Sequence, residues 1–322
     1  SDALLWNYAS TSAPAANTNA PVLDITRLVQ LAEAGDDAAM VQDVNLLLHG
    51  GSLPAASAAT LTRMLGSLRA QGVTPLVGNL DHAATLRRLS GLATRVVHLA
   101  PPPGEGGGGA AWWRDPRTVA LARALRLRSL PVSLVYASTS GVYGDCAGAL
   151  VAETRTVAPG TPRAQRRVNA ERAVRHLGRA GVRTSILRIP GIYAPDREGG
   201  TPEARLRRGT PVLTAQDDVY TNHIHADDLA RACLAALWRG KPQRVYNVSD
   251  ASAMKMGDYF DLAADLYGLP RPPRVPRSTA QDALPVMLLS FMSESRRLDN
   301  HRLVDELGLR LRYPTVATGL RA

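Results

Sequence analysis

"SLVYASTSGVYGD", Ser133 to Asp145, is an apolar run that ends in small hydroxyl residues and turns at Gly141. Leu134, Val135, Tyr136 and Ala137 follow one another without polar alternation, the pattern of a strand covered on both faces. Such strands build parallel sheets clothed by helices, and ligands meet those sheets at the carboxyl ends of the strands. Ser138, Thr139 and Ser140 stand at such an end. The pentapeptide YASTS also occurs at Tyr8–Ser12. No apolar run feeds that copy, and its neighbours are Ala, Ser, Thr, Asn and Pro. It reads as coincidence, and residues 1–20 read as poorly ordered.

Outward from this stretch the periodicity alternates. Upstream, "VTPLVGNLD" (73–81) predicts a short strand, "HAATLRRLSGLA" (82–93) a helix, and "RVVHLAPPP" (95–103) a strand stopped by prolines. "GEGGGGAAWW" is a flexible loop, and a helix is expected over 116–127. Downstream, "TPRAQRRVNAERAVRHLGRAG" (161–181) is a helix and "RTSILRIPG" (183–191) the next strand. The fold class is therefore α/β, a doubly wound parallel sheet. Beyond Pro195 the texture loosens, with helices expected at 226–238 and 256–266, a strand at 244–248 and a Pro/Arg-rich connection over 268–277. This predicts a smaller C-terminal substrate domain over 191–322 behind a dinucleotide-type domain over 61–190. Residues 1–60 read as a helical extension, with helices over 22–36 and 37–49 and a third over 54–70 opening on Pro54.

The bulk chemistry bounds the function. Of 38 basic side chains, all but Lys241 and Lys255 are arginine, and the formal charge is +10. The arginines are scattered among acids rather than massed, so a nucleic-acid partner is not expected. Cys146 and Cys233 lie far apart, offering neither a disulfide framework nor metal spacing. No run has the ~20 apolar residues of a membrane span, and the N-terminus carries no signal pattern. The expected partner is a small molecule and the expected location cytoplasmic.

"YASTSGVYGD", Glu153, Pro159 and Pro162, "NAE" on a helix, "LRIPGIYAP", "NHIHADDLA" and "VYNVSD" occur in one order. That order resembles the extended short-chain dehydrogenase/reductase family, the NAD-dependent epimerase/dehydratase group, over about residues 64–322. The tail "SRRLDNHRLVDELGLRLRYPT" is similar to the same group. The resemblance implies a Rossmann-like fold, NAD or NADP as cofactor, and oxidoreductase or epimerase chemistry on a sugar-like or nucleotide-linked alcohol. It gives Thr139 the hydroxyl that holds the substrate's reacting oxygen. It places Asn79, Ala100, Pro101, Ser138, Pro190, Gly191 and Ile192 along the cofactor. The "HADD" residues His225, Asp227 and Asp228 are mainly structural in the family, and no metal is expected. A homodimer fits this picture.

The chain departs from the family at two places. Aligning on Ala170-Glu171 puts the family's Tyr-x-x-x-Lys positions at Arg163 and Arg167. A guanidinium stays protonated and cannot serve as a general base. Arg167 can still bond a ribose hydroxyl or a phosphate; Arg163 cannot replace a phenol. Tyr143, Tyr193, Asp145, Glu153 and His225 lie near strand ends on the family template, and Tyr143 is the leading substitute base. The family's G-x-x-G-x-x-G loop, whose amides receive the pyrophosphate, has only Gly50, Leu53 and Ala56 at its spacing. Two helices with a Gly-Gly stop describe that stretch better. Dinucleotide binding is then weak or lost, and two readings follow: an atypical oxidoreductase or epimerase-like enzyme, or a catalytically degenerate binding or regulatory protein. Arg205, Arg207 and Arg208 suit an anionic substrate or a solvated helix end.

Overall fold

The computed structural model describes residues 78–104, 111–196, 199–284 and 286–321, with Gly72, Val73, Leu76 and scattered positions between Gln30 and Ala70 before them. The Gly50–Leu53–Ala56 spacing, residues 1–20 and the loop 105–110 lie outside the described residues. Two compact units form, Ser1–Gly108 with Pro116–Pro131, and Gly109–Asp115 with Val132–Ala322.

In the first unit, the described positions Gln30, Ala34, Ala38, Ala39, Ala59, Thr62, Arg63, Gly66 and Ala70 are all helical. The described positions of the expected strand 73–81 are coil and turn instead. The expected helix after it is a tight 3-10 helix, Ala83–Leu89, with no side chain capping its start. Thr85 explains the tightening. Its hydroxyl donates to the Asn79 and His82 carbonyls and accepts from the Asn79 amide, so local bonds outcompete a strand. Strand β1 (Arg95–His98) is short, because the three prolines after it cannot donate to a ladder. Helix α1 (Pro116–Ala124) carries Arg117, which clasps Asp81 through two 2.7 Å bonds.

The second unit holds strands β2 (Ser133–Thr139), β4 (Arg183–Ile189) and β9 (Arg244–Asn247) in parallel. Between β2 and β4 runs helix α2 (Pro162–Arg179), started by Thr161, whose hydroxyl accepts from the Ala164 amide, and by proline in the first turn. Helix α4 (Ala226–Arg239) precedes β9. Strand parity shows how the helices lie. Ser133 bonds the Leu237 carbonyl of α4, whereas Tyr136 and Ser138 bond Arg167 and Glu171 of α2. Odd and even positions of a strand point to opposite faces, so α2 and α4 cover opposite faces of the sheet. That is the doubly wound arrangement expected from the opening stretch.

Pro190 ends β4, and the chain resumes as β5 (Gly191–Tyr193), paired in parallel with β8 (His223–His225). A further apolar cluster gathers Tyr193, Leu206, Val212, Phe260 and Val316 around α5 (Met256–Tyr267). Strand β3 (Leu150–Val151) pairs with β12 (Arg297–Leu298), so the end of the chain returns to the loop after β2.

Candidate active site

The sheet register brings the carboxyl ends of β2 and β4 together. Thr139 pairs with Ile189, immediately before Pro190 and Gly191. The Thr139 hydroxyl accepts from the Gly141 amide at 3.3 Å and caps the 3-10 turn Ser140–Tyr143. Among the described residues no acceptor takes its proton. Pro190 is half-buried, and Gly191 and Ile192 are exposed beside it. Thr139, Pro190, Gly191 and Ile192 thus share one solvent-facing strand end.

Arg167 approaches the same strand from α2. Its Nη1 donates to the Ala137 carbonyl at 2.6 Å and to the Tyr136 hydroxyl at 3.1 Å, with the guanidinium 5.8 Å from the Tyr136 ring. Burial, partly countered by Arg167, pushes the Tyr136 phenol above its ordinary range. Nη1 is anchored, and the other guanidinium N–H groups have no bond among the described residues. Arg163 is exposed on the first turn of α2.

Two sequence expectations are corrected here. Ser138 turns inward: its hydroxyl donates to Glu171 Oε1 at 2.7 Å and the residue is 4% exposed, so it is not at the cofactor's surface. Tyr143 is 1% exposed and donates to Asn247 Oδ1 at 2.7 Å. Burial raises its pKa further, with Arg188 working the other way. A buried phenol that keeps its proton, with its O–H bound to a side-chain carbonyl, is not placed to take a proton from a substrate. The remaining alternatives are also engaged. Asp145 is held below its usual pKa, first by the Ser295 amide. Glu153 accepts from the Asn247 amide. Tyr193 donates to the Thr315 carbonyl at 3.4 Å. His225 Nδ1 accepts from Asp227 and caps α4. Asp228 is held by Arg231 and by the amides of Arg312 and Tyr313.

Behind the strand end is a network that the residue-type survey did not single out. Glu171 receives Ser138 and both Nε and Nη2 of Arg188, at 3.1 and 2.8 Å, and Arg188 lies 4.6 Å from the Tyr143 ring centroid. The signal was present in the spacing. Ala164, Val168, Glu171, Val174 and Leu177 form one buried stripe of α2, and a carboxylate within such a stripe requires a partner.

In the first unit, Asn79 Oδ1 accepts from the Asp81 amide, Ala100 is half-buried, and the Pro101 carbonyl accepts from Arg117.

Residues 112–249 match the NAD dependent epimerase/dehydratase family. No curated protein matches the chain. A conserved protein of unknown function from Silicibacter pomeroyi is 31% identical, the match covering 79% of this chain and 83% of that one with a TM-score of 0.60. RMD from Pseudomonas aeruginosa, solved with NADPH, is 21% identical over 78% of this chain and 87% of its own, with a TM-score of 0.61. UDP-glucuronic acid 4-epimerase from Bacillus cereus, solved with NAD, is 18% identical over 82% and 84%, with a TM-score of 0.63. At that identity the last two establish the shared α/β fold.

Proposed function

We propose a function from one premise: the chain belongs to the NAD dependent epimerase/dehydratase family. It binds a nicotinamide dinucleotide and acts as an atypical epimerase-type oxidoreductase on a sugar-like or nucleotide-linked alcohol. The observation that carries this is Thr139, whose hydroxyl stands at the strand end with its proton unclaimed among the described residues.

The residues at the nicotinamide end fit the cofactor. Exposed Gly191 and Ile192 leave a surface open beside Pro190, and Arg167 offers N–H groups that are unbonded among the described residues to a ribose hydroxyl or a phosphate. When bound, the nicotinamide supplies the hydride acceptor or donor. Thr139 orients the substrate oxygen, donating to a carbonyl or accepting from an alcohol.

Arg205 supports an anionic substrate. Its Nε and Nη2 are buried without partners among the described residues, its guanidinium lies 4.3 Å from the Phe260 ring centroid, and burial lowers its pKa. Arg207 instead pairs with Glu203 on its own helix. A phosphate would satisfy Arg205 in the way nothing described within the chain does.

One observation favours the second reading, a binding or regulatory protein. Aligned on Ala170-Glu171, the family's tyrosine position falls at Arg163, which is exposed, while Tyr143 and Glu153 both bond Asn247. Thermal unfolding with millimolar NADH and NADPH separates the readings. Ligand at a hundred times its dissociation constant adds ~2.7 kcal/mol. A shift with turnover on an alcohol panel supports the enzyme, and Thr139→Val then lowers kcat about 100-fold while the shift persists. A shift without turnover supports the binding protein. No shift with either dinucleotide overturns both.

A further inference from the structure

His223, the first residue of β8, pairs with Gly191, the first of β5. It is 6% exposed, and its Nδ1 is sealed from solvent with no hydrogen-bond partner among the described residues. The ring stacks on Tyr259 with centroids 4.1 Å apart and meets Tyr193 edge-on at 6.3 Å. Burial pushes its pKa down to about 4, so the imidazole is neutral near physiological pH and carries one N–H. On Nδ1 that proton would be a buried donor with nothing to receive it. On Nε2 it leaves only a lone pair unmatched there, the cheaper arrangement.

Nε2 lies toward position 191. A Cβ built on Gly191 would stand 3.4 Å from the imidazole Cδ2 and 4.0 Å from Nε2. The backbone at Gly191 is not in the left-handed region, so its conformation does not demand glycine. What glycine provides there is a gap in front of a histidine edge. The gap opens two residues past Ile189, the register partner of Thr139. No part of the mechanism above uses this imidazole.

We propose that His223 contacts the ligand: through the side-chain-free position 191, its Nε2–H donates a hydrogen bond to an oxygen of the molecule held at the carboxyl end of β4. The inference rests on the reading that a nicotinamide dinucleotide binds there. The oxygen belongs either to the nicotinamide carboxamide or to the alcohol or carbonyl of the substrate, and both are neutral acceptors suited to an uncharged donor. Stacking on Tyr259 fixes the ring, so the donor is positioned before the ligand arrives.

The test is 15N-histidine NMR on the full chain, free and with NADH, ADP-ribose, or NAD plus UDP-glucose. Dissociation constants are measured in parallel for the parent, His223→Phe, His223→Gln and Gly191→Ala. The free protein is expected to show the Nε2–H tautomer. A resonance shift with NADH but not ADP-ribose supports the proposal and assigns the oxygen to the carboxamide. A shift only with NAD plus UDP-glucose supports it and assigns the oxygen to the substrate. Variants that melt near the parent should bind the responsible ligand about tenfold more weakly, the loss of one hydrogen bond. An Nδ1–H tautomer overturns the proposal. So does NADH binding with the His223 resonances unmoved in every condition, or unchanged affinity in folded His223→Phe and Gly191→Ala; the dinucleotide reading then stands. Absence of NADH and NADPH binding removes both.

Discussion

Glu171 accepts from Ser138 and Arg188 while sitting 3% exposed, so three polar groups are buried on the strength of one carboxylate. Both side chains of the Glu171–Arg188 pair are 4% exposed, and removing one charge strands the other. Glu171→Gln is expected to cost about 3–5 kcal/mol in urea unfolding, a loss that salt does not screen. Tyr143 has a smaller part. Tyr143→Phe leaves Asn247 Oδ1 without its donor, although Asn247 Nδ2 still bonds the Val151 and Asp299 carbonyls. It should cost about 1–3 kcal/mol and leave any dinucleotide-induced melting shift in place. A Tyr143→Phe protein that keeps its stability but loses turnover would restore that phenol as a base.

At the scale of elements, the turn after β2 depends on Gly144. Its φ of 67° lies in the left-handed region, and a methyl group there would collide with the Ala158 carbonyl oxygen. Gly144→Ala should lower the melting temperature by several degrees, since one kcal/mol corresponds to about 2–4 °C in a domain of this size. The elements near this turn were legible in sequence for specific reasons. The unbroken apolar run of β2 was read as a covered strand and forms one, and the helix read over 161–181 forms over Pro162–Arg179. The stretch 73–93 was misread because Thr85 ties the chain to Asn79 and His82, a set of local bonds that periodicity does not register. Around the candidate site, the strand-end position of Thr139 was legible. The inward turn of Ser138 and the partners of Tyr143 were not, because they depend on Glu171 and Asn247, 33 and 104 residues away.

For the whole molecule, two buried groups set opposing pH dependences. Burial pushes the Asp250 carboxyl up to about 7 from 3.8, and its Oδ2 has no partner among the described residues. Between those values the folded state holds a proton that the unfolded state has released, so this contribution is lost as pH rises. His223 runs the other way: its pKa falls from 6.5 to about 4, and acidification through that window favours the unfolded state. The two slopes partly cancel. Asp250→Asn removes the first, so its melting temperature relative to the parent should rise by at least about 2 °C between pH 5 and pH 8. A constant offset across that range would place the Asp250 carboxylate in contact with water.

The pairing of β3 with β12 has a consequence for synthesis. Cys146 and Gly148 both donate to the Ser295 carbonyl, Arg297 donates to that of Ala149, and Arg296 reaches that of Gly144. The loop that follows Thr139 is therefore closed by residues translated some 150 positions later. A nascent chain can lay down β2, β4 and β9 and still lack a closed loop after β2 until residues 295–298 leave the ribosome. A version stopped after residue 290 should keep its far-ultraviolet dichroism, while the amides of 144–151 exchange with deuterium within seconds.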